Sequence, residues 1–534
     1  MMNSTPEQTV KAVNAEHSSA GWFFHNSWQG IKSFFGKHPI RWGIIAIVLI
    51  LLALFMRWFF QPFVLNVRIY SGAILLTLAV TGLLLRSLKN RSPKVRHLLA
   101  VVGFSLIAFG TYMALPLNQY ITSYLGYGDL KIINLSSLPH TADERILPLN
   151  AVDALARERM DESEFRITTP DLVHSKDGDF WTLAIEPART AGRITGSVSE
   201  IVKVQATSAT PDFSRRNPIK VNFPTGERMM LSNNLHTCVQ RSFGLLQYLS
   251  YEPGNVLYMQ DDKGEWVQVV SLIKWTGIFF PRPDFGGVQV IRQDNSGSLA
   301  NNVNRALFGC GKYISPEKIR DYAFLRGQNL VAPRVMRFIA ESFRFQAGFT
   351  GPMSWVHKDD IRIPSLPSDV NPQPFNLNFI LPGQSKGSLF AYFALEPSDP
   401  NNKGLASSLF VPSDNPNVVY QYPHAKRGAR YIGVSAVEAK VEESKKMFDW
   451  TKFRPVEHRP YIRTCRSPDG KLRQEFWWMT SVVAVTKKNE DGSTSDFTVG
   501  AIPDLVFTNA STSAVTWPTS KEGTAWKAEL NCLE

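Results

Sequence analysis

Trp42–Phe60 reads WGIIAIVLILLALFMRWFF, and the interpretation of the whole chain turns on this stretch. Two further apolar runs follow, Ile69–Leu85 (IYSGAILLTLAVTGLLL) and Leu98–Leu117 (LLAVVGFSLIAFGTYMALPL). Each approaches the ~20 apolar residues that cross a hydrocarbon core about 30 Å thick, where a backbone must satisfy its own hydrogen bonds. The pattern predicts an α-helical membrane anchor of three transmembrane helices over residues 42–117. An α+β extracytoplasmic region is expected to follow it.

Orientation is read from the loops. Arg86, Lys89, Arg91, Lys94 and Arg96 lie between the second and third runs with no acid among them. Basic residues in a short loop stay on the cytoplasmic side. The N-terminus is then cytoplasmic, and everything after Leu117 is periplasmic or extracellular, at a bacterial inner (plasma) membrane. Arg57, beside Trp58, Phe59 and Phe60, is placed to snorkel to the outer interface. About 40 residues precede the first run and no small-residue cleavage site follows it, so it is expected to act as an uncleaved anchor.

Cysteine usage agrees with this partition. Cys238, Cys310, Cys465 and Cys532 all fall after Leu117, where an oxidising compartment lets them pair. Three pairings are open; the local ones, Cys238–Cys310 and Cys465–Cys532, are favoured. Each closes a loop of about 70 residues and stabilises by roughly 4 kcal/mol in the chain-entropy account. Four buried thiols are the alternative.

The net charge of +12 invites a nucleic-acid reading. Eleven Lys/Arg against two acids lie within residues 1–117, however, so most of the excess is topology signal. No basic cluster with interleaved aromatics remains after Leu117, which argues against a nucleic-acid partner.

In order along the chain, residues 1–41 form a cytoplasmic tail. Within it Phe24, Trp28, Ile31 and Phe35 share one helical face, as in a helix lying in the inner leaflet. After the third run, Tyr124-Leu125-Gly126-Tyr127-Gly128-Asp129 matches the end of a potassium-channel filter. No span follows to line a pore, so a Gly-rich turn is the better expectation.

The region after it shows a helix-plus-hairpin repeat. Asn150–Met160 has a helical pattern, followed by the turn and strand Lys176–Ile185 (KDGDFWTLAI). The order recurs in His236–Tyr248 and Asp262–Val270 (DKGEWVQVV). Both Asp/Gly turns lead into a Trp-bearing strand. A looser third copy is Ser435–Phe448, then Asp469-Gly470 and Glu475–Val483.

The second copy continues Gly286-Gly287-Val288-Gln289-Val290-Ile291-Arg292-Gln293-Asp294. A helix, a hairpin with an acidic-Gly turn, then V-x-V ending in an Asp/Gly turn resembles the PepSY-type modules of bacterial envelope proteins. The resemblance covers about 60 residues per copy. The chain departs from that pattern where Arg292 and Gln293 intervene before Asp294. The resemblance implies small modules that bind or restrain other proteins and do not catalyse.

Pro364, Pro367, Pro372, Pro374 and Pro382 place a boundary near 350–375. An α+β domain of two modules is therefore expected over 118–350 and a mostly-β domain over 375–534, the latter from runs such as LFAYFAL, VVYQY and FWWMTSVVAV.

Searching for chemistry returns mostly exclusions. Gly309-Cys310-Gly311-Lys312 lacks the upstream Gly and the Ser/Thr of a phosphate-binding loop. Ser315-Pro316-Glu317-Lys318 fits an SxxK pattern without its Lys-Thr-Gly partner and reads as a helix cap. His140, His174, His236, His357, His424 and His458 show no ligand spacing, so each reads as a surface or capping residue. Asp261-Asp262 and Asp359-Asp360 read as turn acids rather than a glycosidase pair. No catalytic, cofactor-binding or metal residue is assigned and no cofactor is expected.

Thirteen Trp and thirty-four Phe exceed what two modest cores need, and aromatics favour protein contacts. The sequence therefore points to a membrane-anchored envelope protein whose outer region binds partner proteins or assembles a complex, with a lipid bilayer and a protein partner or a second copy as its contacts. A cell-surface enzyme acting on envelope polymers, or a subunit of an oligomeric transporter or channel, is the alternative.

Overall fold

The computed structural model describes residues 39–88, 103, 105, 115–158, 163–175, 177–208, 218–244, 247–294, 299–353, 360–364, 373–399, 401–424, 427–428, 430–445, 449–466, 472–484 and 504–518. Contacts divide the chain into two units, Met1–Phe60 and Gln61–Glu534.

The three-helix anchor is the first expectation to fall. Among the described residues no single helix is long and apolar enough to cross a membrane. Helix α1 (Pro39–Ile69) and helix α2 (Ser71–Leu88) are separated by Tyr70. Their segments Trp58–Ile69 and Ser71–Leu83 pass a test of length and composition only together, across a bend of 65°. The physical reason lies in where the second run begins. Ile69–Gly72 packs on protein, and a Cβ on Gly72 would meet the Phe279 carbonyl oxygen at 2.7 Å. Only the part beyond it carries a row of exposed apolar side chains. The third run ends in helix α3 (residues 115–128), in which Asn118 is buried; most of the run lies outside the described residues. Helix α3 also runs through the Gly-rich stretch expected to be a turn. Tyr120 and Tyr124 pack edge-on against Phe345 and Phe349, which holds the helix as far as Gly128. The amphipathic stretch Phe24–Phe35 lies outside the described residues.

The second unit is a mixed α/β body built on four sheets. Its centre is a seven-stranded sheet: β1 (Lys131–Asn134), β2 (His140–Thr141), β12 (Ile361–Arg362), β13 (Phe375–Ile380), β14 (Ser388–Pro397), β15 (Ser407–Pro412) and β16 (Val418–Pro423). Its order is β1-β16-β15-β14-β13-β2, with β12 on β14 and only the β1–β16 pair parallel. Strands from both sides of the proline-rich stretch thus share one sheet. Both faces of this sheet are buried, which explains the unbroken apolar run LFAYFAL. Phe390, Tyr392 and Ala394 enter one core, and Ala391, Phe393 and Leu395 enter another.

On one side of the central sheet lies the C-terminal sheet of β17 (Phe453–Arg466), β18 (Leu472–Ala484), β19 (Asp504–Asn509) and β20 (Val515–Thr516). Between them packs a helix, Val434–Ser444, through Val434, Val437 and Val441. On the other side lies a four-stranded sheet of β8 (Tyr251–Gln260), β9 (Trp266–Thr276), β10 (Arg282–Arg292) and β11 (Lys312–Ile314). A helix, Pro333–Ser342, closes that core with Val335, Met336, Ile339 and Ala340. Burying each of its larger side chains is worth roughly 1.5–3 kcal/mol. The last sheet, β3 (Phe165–Ile167), β4 (Asp171–Ser175), β5 (Gly178–Pro187), β6 (Val198–Gln205) and β7 (Ile219–Phe223), faces β8–β11 with one side. Its other side is covered by the helix Leu149–Glu158.

Helix-then-hairpin order is present at Leu149–Glu158 before β4–β5, at Leu235–Ser242 before β8–β9, and at Val434–Ser444 before β17–β18. The first two turns depend on glycine, Gly178 at φ +111° and Gly264 at φ +80°, where an L side chain is strained.

Candidate functional site

Where Ile69 and Ser71 meet the body, polar side chains stitch helix to sheet. Gln61 Nε2 donates to the Tyr251 carbonyl oxygen at 2.5 Å. The Arg68 guanidinium donates to the carbonyl oxygens of Leu249 (2.8 Å), Trp275 (3.0 Å) and Gly277 (3.2 Å), and to the Ser250 hydroxyl. Ser71 Oγ donates to the Ile278 carbonyl oxygen at 3.0 Å, and Asn118 Nδ2 to that of Ile69 at 3.0 Å. Carbonyls near the strand ends and the end of α1 thereby find donors instead of water. Leu65 is inserted in the core beneath.

The outward face is the opposite in character. Phe63 is 71 % exposed, Leu78 60 % and Leu83 69 %, with Leu75 and Leu76 also uncovered. The β9–β10 connection adds Ile278, 78 % exposed, and Phe279. Exposed apolar side chains are thus concentrated on this part of α1, α2 and the β9–β10 connection.

Beside the bend lies a cavity of about 680 Å³. Ile69, Tyr70, Asn118 and Thr122 form part of its wall. The helix Pro333–Ser342 and the turn after it supply Arg334, Arg337 and Arg344, while β12 supplies Arg362. The spacing of 334, 337 and 341 puts charged side chains on the face opposite the apolar one. Glu341 and Asp360 also line the space.

Sequence reasoning missed a second group. Asp143, His174 and Asp179 offer ligand atoms within 4.8 Å of one another. His174 and Asp179 face each other across the β4–β5 hairpin, which their flanking position around Asp177-Gly178 signals. His174 Nδ1 lies 2.7 Å from Asp179 Oδ1, and this bond holds the imidazole above its ordinary pKa. Gln328 pins the His174 backbone, accepting from its N–H at 3.0 Å and donating to its carbonyl oxygen at 2.6 Å. Asn378 Nδ2 donates to Asp143 at 2.7 Å. Among the described residues the imidazole's hydrogen-bond partner is Asp179.

A third group joins the β3–β7 and β8–β11 sheets. Glu186 accepts from the backbone N–H groups of Glu227 (2.7 Å) and Arg228 (2.8 Å), and burial still raises its pKa. Burial also lifts Glu227 well above the carboxylate range, with Asp171 and Glu186 nearby adding to the rise. Asp171 is pushed up to about 7 by burial, offset in part by Asn255. The Tyr258 hydroxyl donates to Glu227 at 3.3 Å. Burial thus raises all three acids, and Glu186 and Glu227 bond protein groups across the seam between the sheets.

The residues singled out in the sequence are placed as follows. Cys238 and Cys310 are disulfide-bonded, with Cα atoms 5.4 Å apart. Cys465 is on β17, and Cys532 lies outside the described residues, as do Lys89, Arg91, Lys94 and Arg96. Arg86 occupies the last turn of α2. Asp261 closes the β8–β9 turn by accepting from Lys263 and Glu265, and Asp262 accepts from the Phe324 N–H at 2.9 Å. Asp360 accepts from the Ser398 hydroxyl at 3.0 Å; Asp359 and His357 lie outside the described residues. Ser315 precedes a 3₁₀ turn without a side-chain cap bond. His424 and His458 are buried rather than superficial, bonded to Ser408 and Thr480, and burial drives both down to about 3.

No family model, curated protein or solved structure matches this chain, so the PepSY-like pattern of the second copy rests on its residues alone.

Proposed function

We propose that the chain is a membrane-attached binding protein without catalytic chemistry, working at the bacterial envelope with its body in an oxidising compartment. A lipid layer receives the outward face of Gln61–Leu88 together with Ile278 and Phe279, and the α/β body engages a protein partner or a second copy. One observation carries the reading: an exposed apolar face is locked to a well-packed body by Gln61, Arg68 and Ser71. A chain that gained nothing from that face would have no reason to fix it. The Cys238–Cys310 bond supports the compartment.

Flotation of the full chain with phosphatidylcholine vesicles tests it. The wild type is expected to float, and the double change Phe63→Asp, Leu78→Asp to remain at the bottom with an unchanged melting curve. A wild-type chain that stays down with vesicles present overturns the reading.

A further inference from the structure

The cavity at the bend has a composition that the apolar face does not account for. Four guanidinium groups line it, from Arg334, Arg337, Arg344 and Arg362, against the two carboxylates of Glu341 and Asp360. Arg337 is bonded to Glu341 at 2.9 Å, and Arg334 reaches outside the cavity to Glu252 at 3.3 Å. Arg344 lies over the rings of Tyr120 and Phe345, 5.6 and 5.0 Å from their centroids, with its Nε buried and unpartnered. Thr122 Oγ1 and Asn118 Oδ1, both buried, also lack a hydrogen-bond partner among the described residues.

Positive charge in excess, with the Arg344 fork held by stacking and Arg337 oriented by Glu341, suits a phosphate. Ile69 and Tyr70 give the cavity a wall from which α2 departs with its exposed apolar side chains. Phosphate and adjoining apolar chains occur together in one ligand class. We propose that this cavity binds the headgroup of an anionic glycerophospholipid, the Arg337 and Arg344 forks taking the phosphate diester. The inference rests on the membrane-attached reading above; a soluble phosphate ester shares the chemistry and is separated by the test.

The full chain is titrated with vesicles of phosphatidylcholine alone and of phosphatidylcholine with phosphatidylglycerol, and separately with glycerol 3-phosphate and inorganic phosphate. Wild type is expected to bind both vesicles, the anionic ones about tenfold more tightly. Arg337→Gln, Arg344→Gln should erase that preference and leave binding to neutral vesicles. Arg344→Lys, which keeps charge and bulk but loses the fork, should fall between. Arg189→Gln, at an exposed site outside the cavity, should change nothing, and an equal loss there overturns the proposal in favour of general surface attraction. Equal affinity for the two vesicles overturns it outright. Arg337- and Arg344-dependent binding of inorganic phosphate without an anionic-vesicle preference assigns the cavity to free phosphate instead. Failure to bind any vesicle, with glycerol 3-phosphate binding retained, sinks the membrane reading but keeps the cavity's chemistry.

Discussion

Arg68 on the last turn of α1 donates to the carbonyl oxygen of Trp275 at 3.0 Å, tying that turn to the end of the β9 strand. The same guanidinium serves the carbonyl oxygens of Leu249 and Gly277 and the Ser250 hydroxyl, so one side chain satisfies four acceptors from two segments.

Arg68→Leu should therefore destabilise by roughly 1–3 kcal/mol, the range for stripping the donor from partly buried acceptors. Hydrogen exchange should quicken first around residues 249–251 and 275–279. Unchanged exchange there would show that the helix is held by Leu65 and the other packing alone.

A buried charge cluster invites a second measurement. Glu457, 1 % exposed, lies between Arg145 at 2.5 Å and Arg459 at 3.3 Å, and also accepts from the Leu149 N–H at 2.7 Å. Burial lowers Arg459 to about 9. Glu457→Gln should cost about 3–5 kcal/mol because it leaves two cations facing each other out of water. Replacing all three by Met and Leu should cost less than that single change, read as the shift in urea midpoint.

The acid group between the sheets sets a pH dependence. Asp171 titrates near 7 in the folded chain and near 3.8 when unfolded, so between those values the folded state binds more protons. Stability should fall as pH rises from about 4 to about 7 and level off above that. Glu227, raised in the same direction, steepens the decline. Asp171→Asn should stabilise the chain at pH 8 and leave it nearly unchanged at pH 4. Equal effects at both pH values would remove the titration from the account.

Reduction of Cys238–Cys310, which spans 72 residues, should lower stability by about 4 kcal/mol. The Cys238→Ala, Cys310→Ala chain should match the reduced protein and should no longer respond to dithiothreitol. A continued response would point to the remaining cysteines.

Much of the body could be read from local pattern. Asp-Gly and Lys-Gly turns before Trp181 and Trp266 form hairpins because glycine supplies the left-handed corner. The run LFAYFAL is strand β14, and the preference for local cysteine pairs named the Cys238–Cys310 bond. The membrane reading failed in its geometry because hydropathy scores Ile69 and Leu78 alike, although one packs against the core and the other is bare. The signal passed over was polar: Gln61, Arg68, Ser71 and Asn118 each bond to a distant backbone carbonyl. The arginine-lined cavity was illegible for a different reason. Arg334, Arg337 and Arg344 sit on one face of a single segment, but Asn118 and Arg362 reach them only through tertiary folding.

The parallel pairing of Lys131–Asn134 with Val418–Gln421 carries a consequence for biosynthesis. A ribosome releases β1 long before its neighbour exists, and the central layer stays one edge short until β16 emerges. During that interval the waiting segment is an open hydrogen-bonding template, with the apolar helices already made ahead of it. Maturation of this protein is therefore a late, all-at-once closure, and truncations before Val418 should accumulate in chaperone-bound form rather than as a smaller folded product.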